Sequence, residues 1–166
     1  MKKLKLDLLR GGLLGITKNR GGSWYEAIIT ALEQNKHTSG VVINLSGAVQ
    51  EKVEIIWKDE LEEDAILSWN DLTELAEEAA TGVALLLMRE FTDYQVFWRA
   101  RKGDKIDYFL SKQIINGVMK AEALLEVSGI LAETKNNRLS SRVGIKRKQA
   151  ELSPFKNLPT LSLIHI

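Results

Sequence analysis

Two carboxylates stand where a carboxylate is costly. Asp107 interrupts the apolar run Ile106-Asp107-Tyr108-Phe109-Leu110, and Glu126 interrupts Leu124-Leu125-Glu126-Val127-Ser128. A charge inside a strand that packs on both sides needs an ion pair, hydrogen bonds or a metal ion. Two such acids on neighbouring strands form an oxygen donor set suited to Mg²⁺ (or Mn²⁺), which takes carboxylates plus water. Further along, residues 134–150 carry six basic side chains and no acidic one. Within them Arg142, Lys146 and Gln149 fall at i, i+4 and i+7, on one face of a helix. A helix of this kind can neutralise phosphates, which makes Arg138, Arg142, Lys146, Arg147 and Lys148 candidate nucleic-acid contacts. A solvated helix face is the plainer reading of the same charges.

Composition removes several other chemistries. The 166 residues include no cysteine, so disulfides, thiolate catalysis and cysteine zinc sites are excluded. Histidine occurs only at His37 and His165, too few for most histidine-based designs. Lys5, Asp7 and Arg10 interrupt the apolar stretch a signal peptide would need after Met1-Lys2-Lys3, and no run approaches a membrane span. The expectation is a cytoplasmic, reducing setting with no membrane partner. Hydrophobic residues at 45% and charged residues at 27% support a folded α/β (α+β) protein rather than a disordered one.

The elements that must position these residues can be read from periodicity. Residues 1–22 show no clear period and read as a loose lead-in or one short strand. Ser23 can cap a helix over 24–35, followed by strands at 41–45 and 52–58, a small helix–hairpin layer. The acidic stretch 59–64 reads as a solvated connection. Ser68 with Asp71 three residues later matches a capping box for a long helix running to about Phe91. Its stripe is Leu72, Leu75, Ala76, Ala79, Val83, Leu86 and Leu87. The period then changes to two: strands at 94–101, 106–110 and 123–130, with a tight turn at 102–105. Alternation in the third strand puts Leu124, Glu126 and Ser128 on one face. Lys135-Asn136-Asn137 breaks the chain before a basic helix over 139–152.

The order helix–three strands–helix, with an acid in the second strand and E-x-[K/S] in the third, resembles the PD-(D/E)XK nuclease superfamily. More narrowly, Lys102-Gly103-Asp104-Lys105-Ile106-Asp107-Tyr108-Phe109-Leu110 and Leu124-Leu125-Glu126-Val127-Ser128-Gly129-Ile130 are similar to an uncharacterised bacterial family with GTGFDYWLG-like and ARLEVSGI-like motifs. The likeness spans about 68–150, and more faintly back to 23. It implies a restriction-endonuclease-like αβββα core on a mixed sheet, Mg²⁺-dependent phosphodiester hydrolysis, and Asp107 and Glu126 as metal ligands. The implied partner is nucleic acid, DNA ahead of RNA, in restriction, repair or phage defence. The superfamily's lysine position is Ser128 here, a departure, and Lys146 is the candidate for a lysine that has migrated to the following helix. Gln149 would orient water or phosphate. A glutamate on the first helix is also common in the superfamily. Glu78 matches it by location, while Glu90 is the rival by helical periodicity.

The expected organisation is an N-terminal helix–hairpin extension over 1–66 and a nuclease-like core over 67–160. Leu161-Ser162-Leu163-Ile164-His165-Ile166 resembles a translated sequencing-adapter end and is set aside, so the core is expected to lack its last strand. The alternative function is a non-catalytic nucleic-acid-binding or protein-interaction module on the same fold. Asp107 and Glu126 would then satisfy structural hydrogen bonds, or pair with Arg99, Arg101 or Lys146.

Overall fold

The computed structural model of the chain describes residues 1–46, 49–135 and 138–165; the side chains of residues 139, 147, 150 and 163–165 lie outside that description. The chain begins with β1 (Lys2–Lys5) and the one-turn α1 (Asp7–Arg10), then enters α2 (Lys18–Gln34). This helix starts well before the expected Ser23 cap. Thr17 takes that role, its Oγ1 accepting from the Arg20 amide at 3.2 Å. Gly21, which made the segment look loose, is a packing residue: a Cβ there would overlap the Leu9 carbonyl of α1. β2 (Val41–Leu45) and β3 (Glu51–Ile56) form the expected hairpin, and β1 joins β3 in parallel to complete a three-stranded sheet.

The acidic connection contains a short helix, α3 (Glu63–Leu67), and the long helix α4 spans Leu72–Phe91. Its cap is Asp71 and not Ser68. The Asp71 carboxylate accepts from the Thr73 and Glu74 amides at 2.8 and 3.2 Å, while the Ser68 hydroxyl donates back to the Asp64 carbonyl at the end of α3. Asp71 wins because it directly precedes the first helical turn, within reach of the amides that turn leaves unbonded.

The remaining elements are β4 (Val96–Arg99), β5 (Tyr108–Ser111), the small hairpin β6 (Ile114–Ile115) and β7 (Val118–Met119), β8 (Ala123–Gly129), α5 (Leu139–Glu151) and β9 (Thr160–His165). The main sheet runs β4-β5-β8-β9, antiparallel except for β9, which lies parallel to β8 with Leu124 opposite Thr160 and Gly129 opposite His165. The expectation that the last strand is missing is therefore corrected. Residues set aside as lying outside the fold form most of β9. The outer edge of β8 offers an unpaired ladder, and the chain leaving Pro159 is placed to fill it; Leu161 adds a partly buried side chain to the core.

Leu75, Ala79, Val83, Leu86 and Leu87 of α4 are buried, between Trp24, Ile28 and Leu32 of α2 and Leu125 and Val127 of β8. Leu72, expected in this stripe, is exposed at the first turn. Gly129 sets the approach of β8 to α4, since a Cβ there would overlap the Ala76 carbonyl. One hydrophobic core runs through residues on both sides of position 66. The opposite face of the main sheet carries a smaller cluster of Ile106, Phe109 and Leu124, flanked by Trp98 and Leu158. The molecule is thus a mixed α/β protein with α4 on one face of the sheet and α5 on the other. Among the described residues no helix is long and apolar enough to cross a membrane.

Candidate functional site

Asp107 immediately precedes β5, yet its backbone stays in the ladder, its amide donating to the Leu125 carbonyl at 3.2 Å and its carbonyl accepting from Ala100 at 3.0 Å. Its side chain reaches sideways, where Oδ2 accepts from the Val127 amide at 2.8 Å. That bond ties the carboxylate to β8, beside Glu126. The alternation of β8 turns Leu125 and Val127 to the α4 core and turns Leu124, Glu126 and Ser128 to the α5 face.

α5 lies over this face and brings Lys146 to both acids. Its Nζ is 2.8 Å from Glu126 Oε2 and 3.5 Å from Asp107 Oδ2. One turn earlier, Arg142 Nη1 stands 3.4 Å from the Ser128 hydroxyl. A guanidinium therefore sits at the position where the resemblance expects a lysine charge. Glu126 is almost fully enclosed, with 3% of its side chain exposed, against 19% for Lys146 and 39% for Asp107. The Glu126 carboxyl is raised to about 7: burial pushes it up, the Lys146 hydrogen bond pulls it down, and the nearby Asp107 charge pushes it up again. Burial works against the Lys146 ammonium, but the bond to Glu126 and the field of Asp107 outweigh it, and its pKa is raised.

The other candidates separate. Glu78 does not join the cluster through any ion pair among the described residues; both its oxygens accept from Arg20 Nη2 at 2.8 and 2.9 Å, and Oε2 also accepts from the Trp24 indole at 2.6 Å. Glu90 is exposed, a correction to the stripe drawn through it, because in the last turn of α4 it is Met88 and Phe91 that turn to the core. Gln149 and Lys148 are exposed on α5 and Arg138 just before it, whereas Arg142 and Lys146 turn toward the sheet. The Arg147 side chain lies outside the described residues. Arg99 and Arg101 form no ion pair among the described residues, so Lys146 is the partner of the two acids.

The arrangement missed from sequence is the Arg20–Glu78–Trp24 group. Arg20 and Trp24 are four apart and share a helix face, a signal that is readable only once Thr17 is taken as the cap. Trp24 also meets Tyr108 edge-on, with ring centroids 6.3 Å apart, and burial raises the pKa of that Tyr108 hydroxyl.

Two carboxylates, one enclosed and one open to water, that already converge on a single cation are a donor set compatible with Mg²⁺, which needs only one or two protein carboxylates. Among the described residues no third His, Cys, Asp or Glu gathers with them. A divalent ion would have to displace or share the place of the Lys146 ammonium. No protein-family model, curated protein or solved structure matches the chain.

Proposed function

We propose that the protein is a metal-dependent nuclease with the restriction-endonuclease-like core implied by the resemblance, hydrolysing phosphodiesters at Asp107 and Glu126. The observation that carries this reading is the convergence of Lys146, from the helix after the third strand, on both acids. A migrated lysine is what a site with Ser128 in the usual lysine position requires. The sheet order, with a last strand parallel to β8, is also consistent with the reading.

Bound Mg²⁺ or Mn²⁺ would supply Lewis-acid polarisation of the phosphoryl oxygen and acidify water. Asp107 and Glu126 would hold the ion, Asp107 kept in orientation by the Val127 amide. Lys146, released from full pairing with Glu126, would offset charge developing on the phosphoryl oxygens. Arg142 beside Ser128 adds a second positive group on the same face. Exposed Gln149 is within the same helical row and would contact substrate rather than the acids.

The test incubates the protein with labelled single- and double-stranded DNA and RNA, with Mg²⁺, Mn²⁺ or chelator. Metal-dependent cleavage that disappears in both Asp107→Ala and Glu126→Ala supports the reading; cleavage that survives both sinks it. Calorimetric titration with Mn²⁺ gives a readout apart from activity. Metal binding should release a proton at pH 6, when Glu126 is largely protonated, and much less at pH 8.5.

The non-catalytic reading is favoured by one observation, that Lys146 already compensates both acids. Under it the three side chains hold α5 on the sheet, and nucleic acid binds without being cut in any metal.

A further inference from the structure

Beside the acid pair lies a second basic element that the reading above does not use. The end of β4 and the turn that follows it, Arg99-Ala100-Arg101-Lys102-Gly103-Asp104-Lys105, hold four cations and one acid within seven residues. All four cations are exposed, and none forms an ion pair among the described residues. Its single acid is occupied elsewhere: Asp104 Oδ2 accepts from the Arg101 amide at 2.8 Å, and the Asp104 amide donates back to the Arg101 carbonyl at 3.0 Å. These bonds, with Gly103 at φ 107° and Lys105 at φ 58°, fold the turn into one defined shape.

Two contacts locate this turn. The Ala100 amide donates to the Asp107 carbonyl, so the turn closes the ladder at the residue that carries the more open of the two acids. The buried Ser153 hydroxyl donates to the Asp104 carbonyl at 2.8 Å, which pins the turn to the chain just beyond α5. The turn's exposed cations are thus held next to the strand end that carries Asp107, and Arg138, just before α5, and Lys148 of α5 are further exposed cations. Unpaired cations this close together repel one another, and an anionic chain with regularly spaced charges relieves that repulsion at several points at once.

We infer that the β4–β5 turn is a backbone clamp for nucleic acid, with Arg101, Lys102 and Lys105 neutralising phosphates, so that the bound strand is held along the turn next to Asp107 and Glu126. The inference rests on the nuclease reading for the identity of the partner. Its contribution is to affinity and not to base preference, because phosphate contacts position a strand without reading its sequence.

The experiment measures binding of fluorescein-labelled single- and double-stranded DNA in chelator, where no metal-dependent cleavage occurs, across a range of salt concentrations. The variants are Arg101→Glu/Lys102→Glu/Lys105→Glu and the milder Arg101→Gln/Lys102→Gln/Lys105→Gln, with Lys5→Glu/Lys52→Glu/Lys58→Glu as a control of equal charge change on the three-stranded sheet. Loss of three phosphate contacts should weaken binding roughly tenfold or more and flatten the log affinity–log salt slope by about 2–3. The control should shift far less, and thermal melting should confirm that every variant is folded. Equal losses in the turn and control variants, or a turn variant that binds like the parent, would overturn the clamp and leave the nuclease reading standing. A parent that binds neither this DNA nor single- or double-stranded RNA labelled in the same way would overturn both. A parent that binds through the turn but never cleaves would keep the clamp and sink the nuclease.

Discussion

On the α4 side of the main sheet, β8 presents Ala123, Leu125 and Val127 to a continuous apolar core. On the α5 side the same strand presents Leu124, Glu126 and Ser128 to a lysine, an arginine and a small aromatic cluster. A single strand thus separates two environments by alternation alone. The α4 face is dry, and its side chains satisfy one another by packing. The α5 face encloses charges that are stable only as a set, and Asp107, 39% exposed, leaves that set a way out to water. Stability is concentrated on the first face, and the capacity for chemistry on the second.

This contrast predicts a graded series of effects. Leu125→Ala should be among the costliest changes, about 2–5 kcal/mol by denaturant unfolding, because it leaves a cavity between β8 and α4. A loss under 1 kcal/mol would mean that the α4 face is loosely packed and the comparison is misdrawn. Lys146→Met comes next. It leaves Glu126 enclosed without its cation, a loss of about 2–3 kcal/mol at pH 8 that shrinks at pH 5.5, where Glu126 takes up a proton. Equal losses at the two pH values would show that Lys146 acts through packing of its stem alone.

The pH dependence of the unchanged protein follows from the raised carboxyl of Glu126. Between its ordinary value of 4.5 and about 7, the folded state holds a proton that the unfolded state has lost. Stability from this group therefore falls as pH rises through that window, by a total on the order of 3 kcal/mol. Glu126→Gln should flatten this part of the profile, measured by unfolding at several pH values; a profile unchanged by the substitution would count against the enclosed acid. The smallest effect is expected for Gln149→Ala. The residue is exposed, so its loss should leave stability within about 0.5 kcal/mol and register only in cleavage or nucleic-acid binding.

The comparison also explains which expectations transferred from sequence to structure. The strand alternation that separates Leu125 from Glu126 is a local property, and so is the helical stripe of α4. Both were legible because side-chain direction follows directly from backbone period. Helix starts were less so. Thr17 and Asp71 cap their helices by bonds to amides two or three residues on, but the packing of Gly21 on Leu9 of α1 and the use of Ser68 to close α3 have no signature at Ser23 or Ser68 themselves. Glu78 was placed by resemblance near the acids, but Arg20 and the Trp24 indole, more than fifty residues earlier, hold it elsewhere.

What the residues by themselves determined was the set of charges and the faces they occupy: two acids in apolar strands, a basic helix, and the spacing that aligns Arg142 with Lys146. Which charges meet was decided only when β8 lay beside β5 and α5 crossed their face. An ion pair such as Lys146–Glu126 joins residues twenty apart through the angle between a helix and a strand, and no periodicity encodes that angle. The last strand is the sharpest case. Its residues were set aside for their likeness to an adapter end, and they join the sheet by pairing along β8's open edge.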